Sequence, residues 1–103
     1  MIRIALVGCG TMGETHAHAY TSLEDAKVVA VCDIRSHHAE ALSSLLGCEA
    51  FTSYEAMKKK ADYDVLDICL PTYLHCRYAI DAMKSGKHVF CEKPIALSLE
   101  DAN

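Results

Sequence analysis

The sequence lacks an excess of positive charge, a long apolar run and a recognisable signal-peptide pattern. Its formal net charge is −4, and because phosphates are bound by clustered cations, we expect no nucleic acid among its partners. The longest stretch without a charged residue, Ile4 to Gly13, contains three glycines, whereas a membrane span needs about 18 apolar residues. No basic segment with an apolar core and a cleavage site opens the chain. We therefore expect a cytoplasmic protein with no membrane partner.

The six cysteines include no CxxC pair. Four of them fall in or beside apolar runs, where free cysteine packs as a small hydrophobe: Cys9, Cys32, Cys69 and Cys91. His16 and His18 are two residues apart on a predicted helix, so they do not share a face as a pair of metal ligands would. The sequence thus predicts reduced thiols, a His16 packed on the inward stripe of its helix, and no metal site.

Apolar and amphipathic segments alternate along the 103 residues, 51% of which are hydrophobic. Mostly apolar runs predict strands at 2–7, 27–33, 64–70 and 87–91, with a short edge strand at 50–53. Segments with helical spacing separate these runs, which indicates βαβ units. We therefore predict an α/β fold, a doubly wound parallel sheet of Rossmann type with helices on both faces.

Hydroxyl residues ahead of the helical segments predict where the helices begin. The predicted caps are Thr11 with Glu14, Ser36, Thr52 with Glu55, and Ser98 with Asp101. The fourth helix is expected from about 75 to 85, ending at Gly86. The second helix is expected to end at Gly47 and to present an inner face of Ala39, Leu42, Leu45 and Leu46.

The strongest chemical signal is Gly8-Cys9-Gly10-Thr11-Met12-Gly13, a GxGxxG pattern between a predicted strand and a predicted helix. In this context the first glycine permits a tight turn, the second lets the backbone approach a pyrophosphate, and the third lets the helix pack closely on the sheet. Free N–H groups and the positive end of the helix would hold the phosphates. We predict a dinucleotide site, the alternative being that the glycines only make a turn.

Asp33 ends the next predicted strand, twenty residues after Gly13. There its carboxylate can accept hydrogen bonds from the adenine ribose, although it could instead only cap the helix near Ser36. A 2′-phosphate carries a charge of about −1.5 to −2, and each unit charge about 5 Å from Asp33 costs about 3 kcal/mol at an effective dielectric near 20. NAD is therefore favoured over NADP, while Arg35 could offset part of this repulsion or stack on adenine.

Two further segments follow predicted strands, at the edge where open α/β sheets bind ligands. They are Leu70-Pro71-Thr72-Tyr73-Leu74-His75 and Glu92-Lys93-Pro94. Proline leaves a bend after each strand, and Lys93 supplies a cation or proton donor near the cleft. His75 could either pack at a helix start or contact the cofactor. Cys9 is expected to pack, with the alternative that the helix terminus lowers its thiol pKa and makes it sensitive to oxidation.

With these segments the chain resembles the N-terminal domain of the family of glucose–fructose oxidoreductase, inositol dehydrogenase and MocA. The resemblance covers essentially the whole chain and rests on GCGTMGETHAHAY, CDI, LPTYLH and GKHVFCEKPIALSLEDA, of which the Glu-Lys-Pro segment is the most specific. It implies an NAD(P)-dependent oxidoreductase that transfers a hydride between a nicotinamide cofactor and a secondary alcohol of a sugar, polyol or similar metabolite.

The resemblance also implies roles for individual residues. Lys93 would be catalytic, because it would hydrogen-bond the reacting oxygen or relay its proton, while Glu92 would lie beside the nicotinamide ribose and Pro94 would fix the turn. Cofactor contacts are implied for Gly8, Cys9, Gly10, Thr11, Met12, Gly13, Asp33, Ile34, Arg35, Leu70, Pro71, Thr72, His75, Glu92, Lys93 and Pro94.

The chain reaches Asn103 about one turn into a newly capped helix. We therefore expect residues 1–103 to be the dinucleotide-binding domain of a longer polypeptide whose substrate domain is absent from this chain, which by itself would lack turnover. The substrate and any homo-oligomer of the full-length form stay open. Two alternatives also remain: an NAD-binding sensor or scaffold without chemistry, and another Rossmann enzyme of the homoserine dehydrogenase-like or biliverdin reductase-like kind.

Overall fold

Strands and helices alternate along the chain in the computed structural model, which describes residues 1–70 and 72–91, apart from the side chains of residues 11, 12, 72–76 and 91. The elements are β1 (Ile2–Val7), α1 (Thr11–Tyr20), β2 (Ala26–Cys32), α2 (Ser36–Leu46), β3 (Glu49–Phe51), α3 (Tyr54–Lys60), β4 (Val65–Ile68), α4 (Thr72–Lys84) and β5 (His88–Cys91). The predicted α/β class is confirmed, and so is each predicted strand: β1 has the predicted ends, and the ends of the other strands differ by at most two residues.

The strands form one parallel sheet in the order β3-β2-β1-β4-β5. The chain builds outward from β1 through β2 to the edge strand β3, then crosses to the other side of β1 and continues through β4 to β5. The connections therefore diverge between β1 and β4. In open α/β sheets such a switch point leaves a crevice outside the carboxyl ends of the strands, where ligands bind.

Helices cover both faces of the sheet, as predicted. On one face α1 and α2 contribute Ala17 and Leu42 to a core that contains Leu6 of β1. On the other face α3 and α4 contribute Met57, Ala79 and Ala82 to a second core. The two cores follow from the alternation of side chains along each strand, because Leu6 faces one core while its neighbours Ala5 and Val7 face the other.

The predicted helix starts are each displaced by one to three residues. Helices α1 and α2 begin with Thr11 and Ser36 inside the first turn, so neither hydroxyl precedes its helix, and the caps are Gly10 and Arg35. In α3 the cap is Ser53, whose hydroxyl accepts a hydrogen bond from the Ala56 N–H at 3.2 Å. Helix α4 begins at Thr72 rather than near residue 75, because a proline directly ahead of a helix does not delay its start. The predicted cap at Ser98 and Asp101 lies outside the described residues.

The inner face of α2 is narrower than predicted. Ala39 and Leu42 are buried and Leu46 packs against the core, but Leu45 is 46% exposed. A surface helix buries one stripe of its circumference, and Leu45 lies beyond the edge of that stripe. Gly47 ends α2 as predicted, in the left-handed conformation with φ of 69°.

The cysteines agree with the predicted reduced state where they are described. Cys9 and Cys32 are buried free thiols, and Cys48 and Cys69 are half-buried free thiols. The side chains of Cys76 and Cys91 lie outside the description. Among the described helices, none has both the length and the apolar character that crossing a membrane would require.

Candidate functional site

The glycine loop lies at the switch point, between the carboxyl end of β1 and the start of α1. Gly8 has φ of +93°, and a Cβ built on it would lie only 2.6 Å from the carbonyl oxygen of Cys69, the residue after β4. A Cβ on Gly13 would overlap the carbonyl oxygen of Gly8. Both glycines are therefore required by the close approach of β1, α1 and the end of β4.

Gly10 differs from the other two glycines because it faces open space. A Cβ built on Gly10 would have no heavy atom of the described residues within 4 Å. The first intrahelical hydrogen bond of α1 runs from the Glu14 N–H to the Gly10 carbonyl oxygen at 2.9 Å. Helix geometry provides no intrahelical acceptor for the earlier N–H groups of Thr11, Met12 and Gly13. This end of α1 therefore presents backbone donors and a positive partial charge to a space that an anion can enter.

The carboxylate of Asp33 ties the glycine loop to the end of β2. One oxygen accepts a hydrogen bond from the Cys9 N–H at 2.8 Å, and the other accepts one from the Arg35 N–H at 2.8 Å. Asp33 is only 7% exposed. Burial alone would raise its pKa, but these two hydrogen bonds, with the nearby positive charge of Arg35, lower it below the ordinary value. Asp33 is therefore a carboxylate held in place beside the loop.

A guanidinium group and an imidazole ring lie near the Asp33 carboxylate. Arg35 Nε lies 3.7 Å from one carboxylate oxygen, and Nδ1 of His38 lies 3.7 Å from the other. Nδ1 of His38 is buried and makes no hydrogen bond within the part of the chain that the structure describes. Ile34, the next residue in the sequence, is 89% exposed among the described residues.

Cys9 is not the activated thiol that its position beside a helix terminus allowed. Its Sγ is buried and donates to the Cys32 carbonyl oxygen at 3.4 Å. Burial, followed by the negative charge of Asp33, raises the pKa of the Cys9 thiol to about 12. The hypothesis of a lowered pKa is wrong, because these effects outweigh the helix terminus, and the thiol is a packing group.

The structure describes only part of the second predicted segment. Leu70 follows β4, and its Cδ2 lies 3.1 Å from where a Gly8 Cβ would lie, so it borders the glycine loop. Thr72 and His75 lie in the first turn of α4, where only their backbone is described. Pro71, Glu92, Lys93 and Pro94 lie outside the described residues, and their roles stay predictions.

A buried polar cluster next to the site did not emerge from the sequence, and we name it the Asp67 network. Its members are His16 and Tyr20 of α1, Asp67 of β4, and Cys69. His16 Nδ1 lies 2.7 Å from one carboxylate oxygen of Asp67, and the Tyr20 hydroxyl donates to the same oxygen at 2.5 Å. The Cys69 thiol lies 3.6 Å from the other oxygen and 3.3 Å from His16 Nδ1.

The Asp67 network raises the pKa of one of its members and brings possible metal ligands together. Burial, then the hydrogen bond to Asp67, raises the pKa of Tyr20, so this hydroxyl is a fixed donor. His16, Asp67 and Cys69 bring ligand atoms of three kinds within 4.8 Å of one another. His16 is buried, as predicted. Asp67 is a charged residue within the apolar run Val65 to Leu70, and a buried charge requires a polar partner. This was the sequence signal from which a partner such as His16 could have been sought.

Comparison with known proteins matches the whole chain to one family. The sequence profile of an oxidoreductase family with an NAD-binding Rossmann fold matches residues 2–103. An inositol 2-dehydrogenase of Rhizobium meliloti (strain 1021) is 40% identical over 99 residues, which are 96% of this chain and 30% of that protein. A D-glucoside 3-dehydrogenase of Escherichia coli (strain K12) is 35% identical over 103 residues, 98% of this chain and 29% of that protein.

A solved structure of a dehydrogenase has the same fold as this chain. A scyllo-inositol dehydrogenase from Lactobacillus casei, crystallised with NAD(H) and scyllo-inositol, is 34% identical with a TM-score of 0.85, and the match covers 92% of this chain and 28% of that one. The chain thus spans about 30% of the length of the curated relatives it matches. Because the profile takes in the glycine loop together with every strand around it, the chain belongs to this oxidoreductase family, and its fold is the family's NAD-binding Rossmann fold.

Proposed function

We propose that residues 1–103 form the cofactor-binding domain of an NAD-dependent oxidoreductase that acts on a secondary alcohol of a sugar, polyol or similar metabolite. The named activities of the inositol and glucoside dehydrogenases support this substrate class. The rest of a longer polypeptide would supply the substrate domain, since the relatives are about three times as long as this chain.

The observation that carries the proposal is the pairing of an open helix terminus with a fixed carboxylate. The N–H groups at the start of α1 face the space in front of Gly10, which suits a pyrophosphate. Each Asp33 oxygen accepts one backbone hydrogen bond and, having two lone pairs, can accept another from a ribose hydroxyl. The residues present therefore fit both the phosphate and the adenosine part of a dinucleotide.

The direction of the bound cofactor follows from the sheet order. Asp33 follows β2 on one side of β1, so the adenosine half would lie on that side. The nicotinamide half would then extend across β1 toward the ends of β4 and β5. When bound there, NAD supplies the nicotinamide ring that accepts or donates the hydride. Leu70, Pro71, Thr72 and His75 follow β4 and would line this half.

Lys93 and its neighbours are proposed to act at the reacting end. Glu92, Lys93 and Pro94 directly follow β5, which ends at Cys91, on the side of the sheet where the nicotinamide half would lie. A lysine side chain there can hydrogen-bond the substrate oxygen and, as a neutral amine, accept the hydroxyl proton while the alcohol becomes a carbonyl and its hydride passes to the nicotinamide. Glu92 would contact the nicotinamide ribose and Pro94 would shape the turn.

The proposed function is tested by titrating the purified chain with NADH and, in parallel, with NADPH. Calorimetry measures the affinity for each cofactor. We expect NADH to bind, and NADPH to bind at least about tenfold more weakly, because its 2′-phosphate would lie against the ionised Asp33. Binding of neither cofactor at millimolar concentration would contradict the proposal. Equal binding of both would retain the dinucleotide site and overturn the preference for NAD.

A further inference from the structure

A carboxylate is buried in the middle of β4, on the sheet face that α1 covers. Asp67 is 0% exposed, and its register partner on β1 is the core residue Leu6. Burying a charge among apolar side chains is costly unless partners satisfy it, and an apolar residue of similar size would pack there without that cost. The fold therefore does not require a charge at this position.

Two partners of Asp67 come from α1, the helix that begins at the proposed phosphate site. His16 and Tyr20 lie on successive turns of α1, and both contact the same carboxylate oxygen, at 2.7 and 2.5 Å. The Asp67 network thus joins α1 to β4 through directional hydrogen bonds. Dispersion contacts tolerate small sliding between two elements, whereas hydrogen bonds to a buried charge define one arrangement.

The Asp67 network lies under the half of the site that would receive the nicotinamide. Cys69 ends the network at the carboxyl end of β4, where its N–H donates to the Val7 carbonyl oxygen at 2.8 Å and its own carbonyl faces Gly8. The ring of Phe90 in β5 lies 5.7 Å from the ring of His16. Both strands in contact with the network lead directly into the segments that begin at Leu70 and at Glu92.

We propose that the Asp67 network is a positioning device for the nicotinamide half of the cofactor. By fixing α1 against β4 it sets the position of the phosphate-binding N–H groups relative to the carboxyl end of β4. This inference rests on the proposed function, because it assumes a dinucleotide at the glycine loop. The adenosine half would depend instead on Asp33 at the end of β2, whose carboxylate accepts hydrogen bonds from the Cys9 and Arg35 N–H groups.

The experiment compares NADH with ADP, which carries the adenosine and the two phosphates but no nicotinamide. Tyr20→Phe removes one donor to Asp67 and keeps the ring. We expect this variant to bind NADH about fivefold more weakly than the wild type and to bind ADP with unchanged affinity. His16→Gln is expected to show the same selective loss. Calorimetric titration measures both ligands, and urea unfolding measures stability.

The matched control is Tyr54→Phe, which removes a tyrosine hydrogen bond to Asp81 of 2.8 Å between α3 and α4, on the opposite face of the sheet. It should leave the ratio of the two affinities unchanged. Equal weakening of NADH and ADP by Tyr20→Phe, or no change in either, would overturn the positioning role while the dinucleotide site stands. Failure of the wild-type chain to bind ADP or NADH would instead overturn the proposed function, and this inference with it.

A metal site at the same side chains is the competing outcome. His16, Asp67 and Cys69 offer nitrogen, oxygen and sulfur, the ligand atoms that Zn²⁺ accepts. Wild-type chain dialysed against Zn²⁺ should retain no stoichiometric metal if hydrogen bonds alone satisfy Asp67. One Zn²⁺ per chain, lost in His16→Gln, would overturn the positioning role in favour of metal binding.

Discussion

Among single residues, Asp33 has a structural role, and we propose that it also recognises the cofactor. Its hydrogen bonds to the backbone of Cys9 and Arg35 hold the carboxylate in place, and they also lower its pKa, so it stays ionised beside the loop. We predict that Asp33→Ser lowers the preference for NADH over NADPH by about tenfold or more, because the repulsion of a 2′-phosphate is removed. Asp62→Ser, which removes an exposed carboxylate paired with Arg3, is the control. An unchanged preference would contradict the assigned role.

The glycines of the loop are expected to respond differently to the same added methyl group. Gly10→Ala should leave the free energy of unfolding within about 1 kcal/mol of the wild type, yet abolish NADH binding, because the methyl would fill the open space before α1. Gly13→Ala should lower the free energy of unfolding by about 2–3 kcal/mol, because its Cβ would overlap backbone of Gly8. Urea unfolding and NADH titration of both variants test this. Retained binding by Gly10→Ala would place the phosphates elsewhere.

At the level of elements, an ion pair joins the amino end of β1 to the residue directly before β4. The Arg3 guanidinium donates to Asp64 at 3.0 Å, and the Arg3 N–H donates to the same carboxylate at 3.0 Å. The side-chain hydrogen bond from Arg3 is the main reason that the pKa of Asp64 falls from 3.8 to about 2. A carboxylate with a lowered folded-state pKa stabilises the fold above its unfolded-state pKa and loses that contribution as the pH falls through the folded-state value.

Asp64→Asn should therefore be less stable than the wild type at pH 6. The difference should shrink as the pH falls from about 4 to about 2, since the wild-type carboxylate is protonated over that interval. Urea unfolding at a series of pH values measures the difference. A gap between the two proteins that stays constant down to pH 2 would show that Asp64 is not held in the ionised form by Arg3.

For the whole molecule, the question is whether the bound cofactor is used in a reaction or only sensed. Lys93 discriminates between the two, because a sensor has no need of a proton-relaying group. In the longer polypeptide that we propose, Lys93→Ala should lower turnover by about 100-fold or more and weaken NADH binding by no more than about threefold. Lys87→Ala, at a lysine that caps the Tyr63 carbonyl at the amino end of β5, is the control. Equal losses of turnover and binding by Lys93→Ala would favour the sensor.

Local sequence patterns were sufficient for the order of the elements and for the glycine loop. The spacing of apolar residues distinguishes strands from helices within segments of about ten residues. The strands and the α/β class could therefore be predicted without knowledge of any tertiary contact. The same holds for Gly8, Gly10 and Gly13, whose spacing reflects one turn and the helix after it. The exact helix caps and the exposure of Leu45 were harder to predict. A helix start that differs by one residue changes the cap, and a neighbouring position on the helix surface can be buried or exposed.

The amino-acid sequence alone was thus enough to predict the parallel sheet, the position of the loop and the acidic residue after β2. The pairing of the charged groups became known from the three-dimensional structure. Asp33 meets Cys9 across 24 residues, and His16 meets Asp67 across 51. No periodicity links positions so far apart, since these contacts exist only once the strands have assembled in their order. The raised pKa of Cys9 also depends on the assembled core, so it could not be predicted from the sequence. Burial there raises the pKa by more than the neighbouring helix terminus lowers it.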